Sequence, residues 1–171
     1  MKIFLDLDET LVHAMFKASG KKRVHVDIPQ TQEERDAGEA PEWYGVIERP
    51  GAMKFIELLR QKYGRDNVFI LTAATHEYAY AISEKFGWGF PGDFIIARGY
   101  YAGTYGPAHL AEKRFDSVLI DNMPRSYEWT WRKLNFLEQY GKPRLILEKS
   151  FGGQDTHGFT DKKIADILTQ I

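Results

Sequence analysis

Apolar residues gather in near-continuous runs at positions 3–7, 68–71, 94–97, 117–120 and 144–148, with little of the in-out alternation of a half-exposed sheet. Runs of that kind suit strands covered on both faces. Between them lie stretches with helical spacing. Residues 51–63 carry Phe55, Leu58 and Leu59 and stop near Gly64, while residues 76–86 carry Tyr78, Ala81, Ile82 and Phe86 and stop at Gly87. Strands alternating with helices predict an α/β fold, a parallel sheet with helices on both faces. Trp129, Trp131 and Phe136 fall in a further helical stretch and are expected in the core.

Residues 14–50 break this rhythm. Their β-like runs, Val24-His25-Val26-Asp27-Ile28 and Trp43-Tyr44-Gly45-Val46-Ile47-Glu48, predict a small two-stranded antiparallel β-hairpin flap inserted after strand 1. The tip, residues 29–42, sets Glu33, Glu34, Asp36, Glu39 and Glu42 against Arg35 and reads as a solvated, mobile loop. At 171 residues the chain suffices for one core, so residues 1–171 read as a single domain with residues 14–50 as its flap or cap.

Polar residues collect where the apolar runs end. Asp6 and Asp8 are two apart, so in extended backbone their side chains face one small volume. Two carboxylates that close repel unless a cation bridges them or one holds a proton, and either state is useful for chemistry. Taken alone, such a pair is also an ordinary turn. Thr72, Asp121 and Lys149 stand at or just past the ends of later runs, and in parallel sheets ligands bind at the carboxyl ends of the strands.

The string Asp6-Leu7-Asp8-Glu9-Thr10-Leu11 resembles the nucleophile motif D-x-D-x-T-(L/V) of the haloacid-dehalogenase (HAD) phosphohydrolases. With Val12-His13 it looks most like the FCP/SCP branch of carboxy-terminal-domain phosphatases, also called NLI-interacting-factor-like. Ile70-Leu71-Thr72-Ala73-Ala74-Thr75 resembles the second motif and Ser117-Val118-Leu119-Ile120-Asp121-Asn122-Met123-Pro124 the fourth. Arg49-Pro50-Gly51 and Pro124-Arg125-Ser126-Tyr127 are also FCP/SCP-like, and the likeness runs over roughly residues 2–170. It implies a HAD-type, Rossmann-like sheet with the flap as cap.

The resemblance also implies roles. Asp6 is the nucleophile that forms an aspartyl-phosphate, and Asp8 is the general acid and base. Mg2+ is held by Asp6, the Asp8 carbonyl and Asp121, with Asn122 beside it. Thr72 donates to a phosphate oxygen, aided by following backbone N–H groups such as that of Ala73. Thr10 braces the turn. The family also needs a cation against the phosphate, and here the chain departs from the FCP/SCP pattern, because Gly99-Tyr100-Tyr101-Ala102-Gly103-Thr104-Tyr105-Gly106 holds no Lys. Lys113 is the first choice, with Arg98 and Lys149 as substitutes. His157, in the loop after the last run, is a further candidate for substrate contact, and Tyr100, Tyr101 and Tyr105 are candidates for the rim.

Composition narrows the chemistry further. With no cysteine the chain has no disulfide, no thiolate zinc site and no cysteine-nucleophile phosphatase mechanism. A formal charge of −1 gives no global field for bulk nucleic acid, and Lys17, Lys21, Lys22 and Arg23 read as wet surface. No membrane span is visible, and Met1-Lys2-Ile3 enters the first strand directly, so the expectation is a soluble intracellular, cytoplasmic protein. The activity the resemblance implies is magnesium-dependent phosphomonoester hydrolysis, with phosphoserine or phosphothreonine peptides as the favoured substrates. The alternative is a nucleotide or polynucleotide 3′/5′-phosphatase. A non-catalytic phosphate- or partner-binding scaffold is the reading from another class, and the intact Asp8 argues against it.

Overall fold

The computed structural model describes residues 1–101, 107–111 and 113–171. In chain order its strands are β1 (Lys2–Leu5), β2 (Val12–Phe16), β3 (Val24–Ile28), β4 (Glu42–Glu48), β5 (Val68–Leu71), β6 (Ile95–Ile96), β7 (Ser117–Asp121) and β8 (Pro143–Leu147). The α-helices are α1 (Gln32–Asp36), α2 (Ala52–Tyr63), α3 (His76–Lys85), α4 (Arg98–Tyr101), α5 (Glu128–Glu138) and α6 (Asp161–Gln170).

The five apolar runs all become strands of one parallel sheet, ordered β6-β5-β1-β7-β8. The chain starts in the middle, fills one side with β5 and β6, then crosses to fill the other. That reversal opens a crevice at the carboxyl ends of β1 and its neighbours. Side chains alternate between two cores. Ile3, Leu5, Val68, Ile70, Val118 and Ile120 pack with α2, α3 and α6 on one face. Phe4, Phe69, Leu71 and Leu119 meet Leu134 and Leu137 of α5 on the other. Register aligns Phe4 with Phe69 and Leu119, and the Phe4 and Phe69 rings stack at 4.8 Å. Each such side chain, fully buried, contributes about 1.5–3 kcal/mol. The sheet is therefore the rigid part of the molecule.

The flap differs from expectation in having a third strand. The sheet is ordered β2-β4-β3 and is antiparallel, because the tail of the Asp6 motif does not turn away but continues as β2, pairing Val12 with Glu48 and Phe16 with Tyr44. The insertion thus begins two residues before position 14. Gly45 lets β4 cross the β2–β3 connection closely: a Cβ there would lie 1.7 Å from the Ala18 carbonyl oxygen. The tip also departs from a plain loop, since Gln32–Asp36 is helical and Thr31 caps it by accepting from the Glu34 N–H.

Arg49, fully buried, joins the flap to the sheet. Its guanidinium donates to the carbonyls of Thr10 (3.0 Å) and His157 (2.7 Å) and to Glu148 (3.1 Å), and stacks over Phe159. A buried charge so fully paired is tolerable, and removing one partner costs about 3–5 kcal/mol. Phe136 is buried as expected, but Trp131 is not: it is 56% exposed, on the outer face of α5. Among the described residues no helix is long and apolar enough to cross a membrane.

Candidate active site

Three strand ends converge. Asp6 follows β1, Thr72 follows β5 and Asp121 ends β7, and these strands are adjacent in the sheet. The Asp6 N–H donates to the Ile120 carbonyl at 2.9 Å and the Thr72 N–H to that of Ile96 at 3.0 Å, so the ladder carries on one residue past each strand and fixes where the side chains emerge. They line a cavity of about 300 Å3 with Asp8, Glu9, Ala73, Asn122, Met123, Tyr127, Trp129, Thr130 and Lys133. Asp6, Thr72, Asp121 and Lys133 are all at least 97% buried except Asp6, which keeps 6% of its surface.

Lys133 holds the centre together. Its ammonium donates to Asp6 Oδ1 at 2.7 Å and to Asp121 Oδ2 at 2.9 Å. Burial pulls its pKa down, but the charges of Asp6 and Asp121 outweigh burial and drive it upward, so the ammonium keeps its charge. Asp6 is pushed up to about 7, by burial first and against the downward pull of Lys133. The second oxygen of each carboxylate has its own partner: Asp6 Oδ2 accepts from Thr10 Oγ1 at 2.8 Å, and Asp121 Oδ1 from the Met123 N–H at 3.0 Å. Thr10 therefore braces the loop that carries Asp6.

Sequence reasoning missed Lys133. Lys113, the first choice for the cation, is exposed, and it acts on Lys2, whose pKa is lowered first by burial and then by the Lys113 charge. That puts Lys113 by the amino end of β1, away from the site. Arg98 is exposed on the rim of the adjoining cleft that Asp8 also lines, and Lys149 is exposed beyond β8 with no hydrogen bond to Asp6, Asp8 or Asp121. The missing signal was available. Thr130, Lys133, Leu134 and Leu137 follow i, i+3, i+4, i+7 spacing and form the buried stripe of α5. A lysine on such a stripe must have a charged partner.

Asp8 faces the same cavity and also a larger cleft of about 610 Å3 between the flap and α3, lined by Tyr44, Tyr78, Glu34, Glu42, Glu77 and Arg98 among others. Tyr78 Oη donates to Asp8 Oδ1 at 2.5 Å. Burial raises the Asp8 pKa, with the Tyr78 hydrogen bond and Lys133 pulling it back. Tyr78 itself is driven far up by burial and by Asp8. The pair at Asp6 and Asp8 is thus divided: one carboxylate is ion-paired to Lys133, the other accepts from a phenol. Such a division suits one group to attack and the other to move protons.

Thr72 Oγ1 accepts from the Ala74 N–H at 3.0 Å, while Thr75 is the residue that caps α3, accepting from the Tyr78 N–H. Thr72 and Ala73 lie beside Asp6 in the cavity. His157 does not join them. Its ring lies 3.2 Å from the Phe151 carbonyl and its own carbonyl accepts from Arg49, so it anchors the loop after β8 instead. Of the rim tyrosines, Tyr100 lines a neighbouring pocket with Arg98, and Tyr105 lies outside the described residues.

The donors around Asp6 fit a hard divalent cation. The Asn122 amide atom that faces the site lies 3.0 Å from Asp6 Oδ2 and 3.2 Å from Asp121 Oδ1. As nitrogen it donates to both. As oxygen it forms with them a set of three oxygen donors that calls for a cation or a proton between them, and oxygen donors of this kind suit Mg2+.

Known proteins supply the frame for this geometry. A solved structure of Fcp1, an essential RNA polymerase II CTD phosphatase, superposes with a TM-score of 0.56 over 99% of this chain and 48% of that one. At 14% identity that likeness is one of fold, and the chain spans about half the length of the Fcp1 chain. No curated protein matches it in sequence. The family model for NLI interacting factor-like phosphatases matches residues 1–100, more than half of the chain and inclusive of Asp6, Asp8 and Thr72. The chain belongs to the NLI interacting factor-like phosphatase family.

Proposed function

We propose that this protein is a magnesium-dependent phosphomonoesterase that works through an aspartyl-phosphate on Asp6. The observation that carries the reading is the Lys133 ammonium set between Asp6 and Asp121, with Asp8 across the same cavity. Phosphoryl transfer is mostly positioning and neutralisation of anionic oxygens, and a buried, permanently charged lysine supplies both. Lys133 also weighs against a mere scaffold, because a buried ion triad contributes little to stability for what it costs.

In this reading the phosphate enters the cavity with its oxygens toward Lys133, Thr72 Oγ1 and the Ala73 N–H. Asp6 attacks phosphorus, the ester bond breaks, and Asp8 gives its proton to the leaving oxygen. Asp8 then takes a proton from the water that hydrolyses the aspartyl-phosphate. Asp6, Asp121, Asn122 and the Asp8 carbonyl would hold Mg2+, which when bound adds charge neutralisation at the transferring phosphoryl group.

The cleft on the Asp8 side favours a phosphoserine or phosphothreonine peptide over a nucleic-acid end. Glu34, Glu42 and Glu77 line it against Arg98, a lining that repels further phosphates and accepts a peptide carrying basic residues. The test is turnover of a generic aryl phosphate, then of a panel of phosphopeptides, mononucleotides and 3′-phosphorylated oligonucleotides. Asp6→Asn should abolish activity with the fold intact, and EDTA should do the same reversibly. A fully active Asp6→Asn sinks the mechanism; preference for oligonucleotides sinks the substrate class.

A further inference from the structure

Asp8 is held in an unusual way for a group that must move protons. The carboxyl has a single hydrogen-bond partner among the described residues, the Tyr78 hydroxyl at 2.5 Å on Oδ1. Tyr78 is 8% exposed, on the first turn of α3, and its own N–H is tied to the Thr75 cap. Residues 73–75 separate Thr72 from that turn, so the Thr72 hydroxyl and the phenol ride on one short, capped piece of backbone. On its other side the Tyr78 ring meets the Tyr44 ring of β4 edge-on, with centroids 4.9 Å apart at 74°. Tyr44, Tyr78 and Asp8 together line the cleft beneath the flap.

A proton carrier needs one oxygen turned to the leaving group and the other kept out of the way. We propose that Tyr78 is a positioning residue that does this for Asp8, and that Tyr44 makes its grip depend on where the flap sits. The proposal rests on the reading of Asp8 as general acid and base. With Oδ1 taken by the phenol, Oδ2 carries the transferable proton. When the Asp6 oxygen bonds phosphorus, the ester P–O bond breaks, its electron pair stays on the leaving oxygen, and the proton on Asp8 Oδ2 moves to that oxygen. In the return step water bonds phosphorus, the P–O bond of the Asp6 acyl phosphate breaks with its electron pair returning to the Asp6 carboxylate, and the water's proton goes to Oδ2. Tyr78 keeps its own proton throughout. Tyr44 packs on the ring from the flap, so a substrate that seats the flap also seats the acid.

The readout is dependence on the leaving group. An aryl phosphate with a nitrophenolate leaving group departs with little protonation, whereas the alkoxide of a phosphoserine peptide needs the proton. The bias is read in kcat/KM, which reports leaving-group departure and not the later hydrolysis of the aspartyl-phosphate that both substrates share: Tyr78→Phe, which keeps the ring against Tyr44, should hold kcat/KM for p-nitrophenyl phosphate within about threefold and cut kcat/KM for the peptide by about 30-fold or more. Equal losses on both substrates, or no loss on the peptide, overturns the proposal. Tyr44→Leu leaves the hydroxyl in place and loosens the ring, and should show the same bias at about a third of the size; an unbiased loss there removes the flap from the argument. Circular dichroism melts verify folding of both variants. Asp8→Asn separates the two layers: if its kcat/KM shows no leaving-group bias, the acid/base reading fails, and if it shows one while Tyr78→Phe does not, only the positioning role fails.

Discussion

The five-stranded sheet and the three-stranded flap use similar residues to opposite ends. In β1, β5 and β7 every interior position is closed to water on both faces, from Ile3-Phe4-Leu5 to Val118-Leu119-Ile120. In β3 of the flap, Val26 and Ile28 are buried while His25 and Asp27 face solvent, and β2 ends with Met15 and Phe16 about half exposed. The first sheet presents Asp6, Thr72, Asp121 and, through the helix packed on it, Lys133. The second presents Tyr44 and Glu42. Groups that must hold their geometry to a fraction of an ångström stand on the closed sheet, and groups that meet the rest of the substrate stand on the open one.

This division can be broken or sharpened by substitution. The largest effect belongs to the closed side. Lys133→Met should lower aryl phosphate turnover by about 10²–10³ and lower the urea midpoint in EDTA, because Asp6 and Asp121 lose their shared counter-charge. Lys113→Met should leave both unchanged. An active Lys133→Met would move the phosphate charge elsewhere. On the open side, Gly45→Ala forces the Ala18 carbonyl away from β4. It should cost about tenfold in kcat/KM on a phosphopeptide and much less on a small aryl phosphate. Equal losses would mean that the flap shapes the catalytic cavity itself. The smallest change is expected for Glu42→Gln, an exposed carboxylate at the cleft: about a two- to threefold shift in preference between phosphopeptides flanked by basic and by acidic residues, read by competition.

Most of the closed sheet was legible in the sequence, because burial on both faces leaves an unbroken apolar run and the acids that end such runs have nowhere to hide. Asp6, Asp8, Thr72 and Asp121 were found in that way and do line one cavity. Lys133 was not, because a charge on a helix stripe is invisible to a search along strand ends, and because the family pattern directed attention upstream of Asp121. His157 turns its ring to the Phe151 carbonyl and not into that cavity, since a loop on the cleft side need not turn its side chains inward. The third flap strand escaped because Val12-His13 served two purposes at once, as the tail of a motif and as the start of β2. Trp131 went astray for a different reason: α5 carries aromatics on both its faces, and periodicity alone does not say which tryptophan is wet.

The entry of Lys133 from α5 has a consequence for the chain just after β7. One carboxylate of the ion triad ends that strand and its counter-charge stands on the very next helix, with only residues 122–127 between the two elements. An insertion or deletion in that short link would turn α5 against the sheet and carry the ammonium off Asp6 and Asp121 together. Six residues of connection thus act as a gauge for the spacing of charge at the centre.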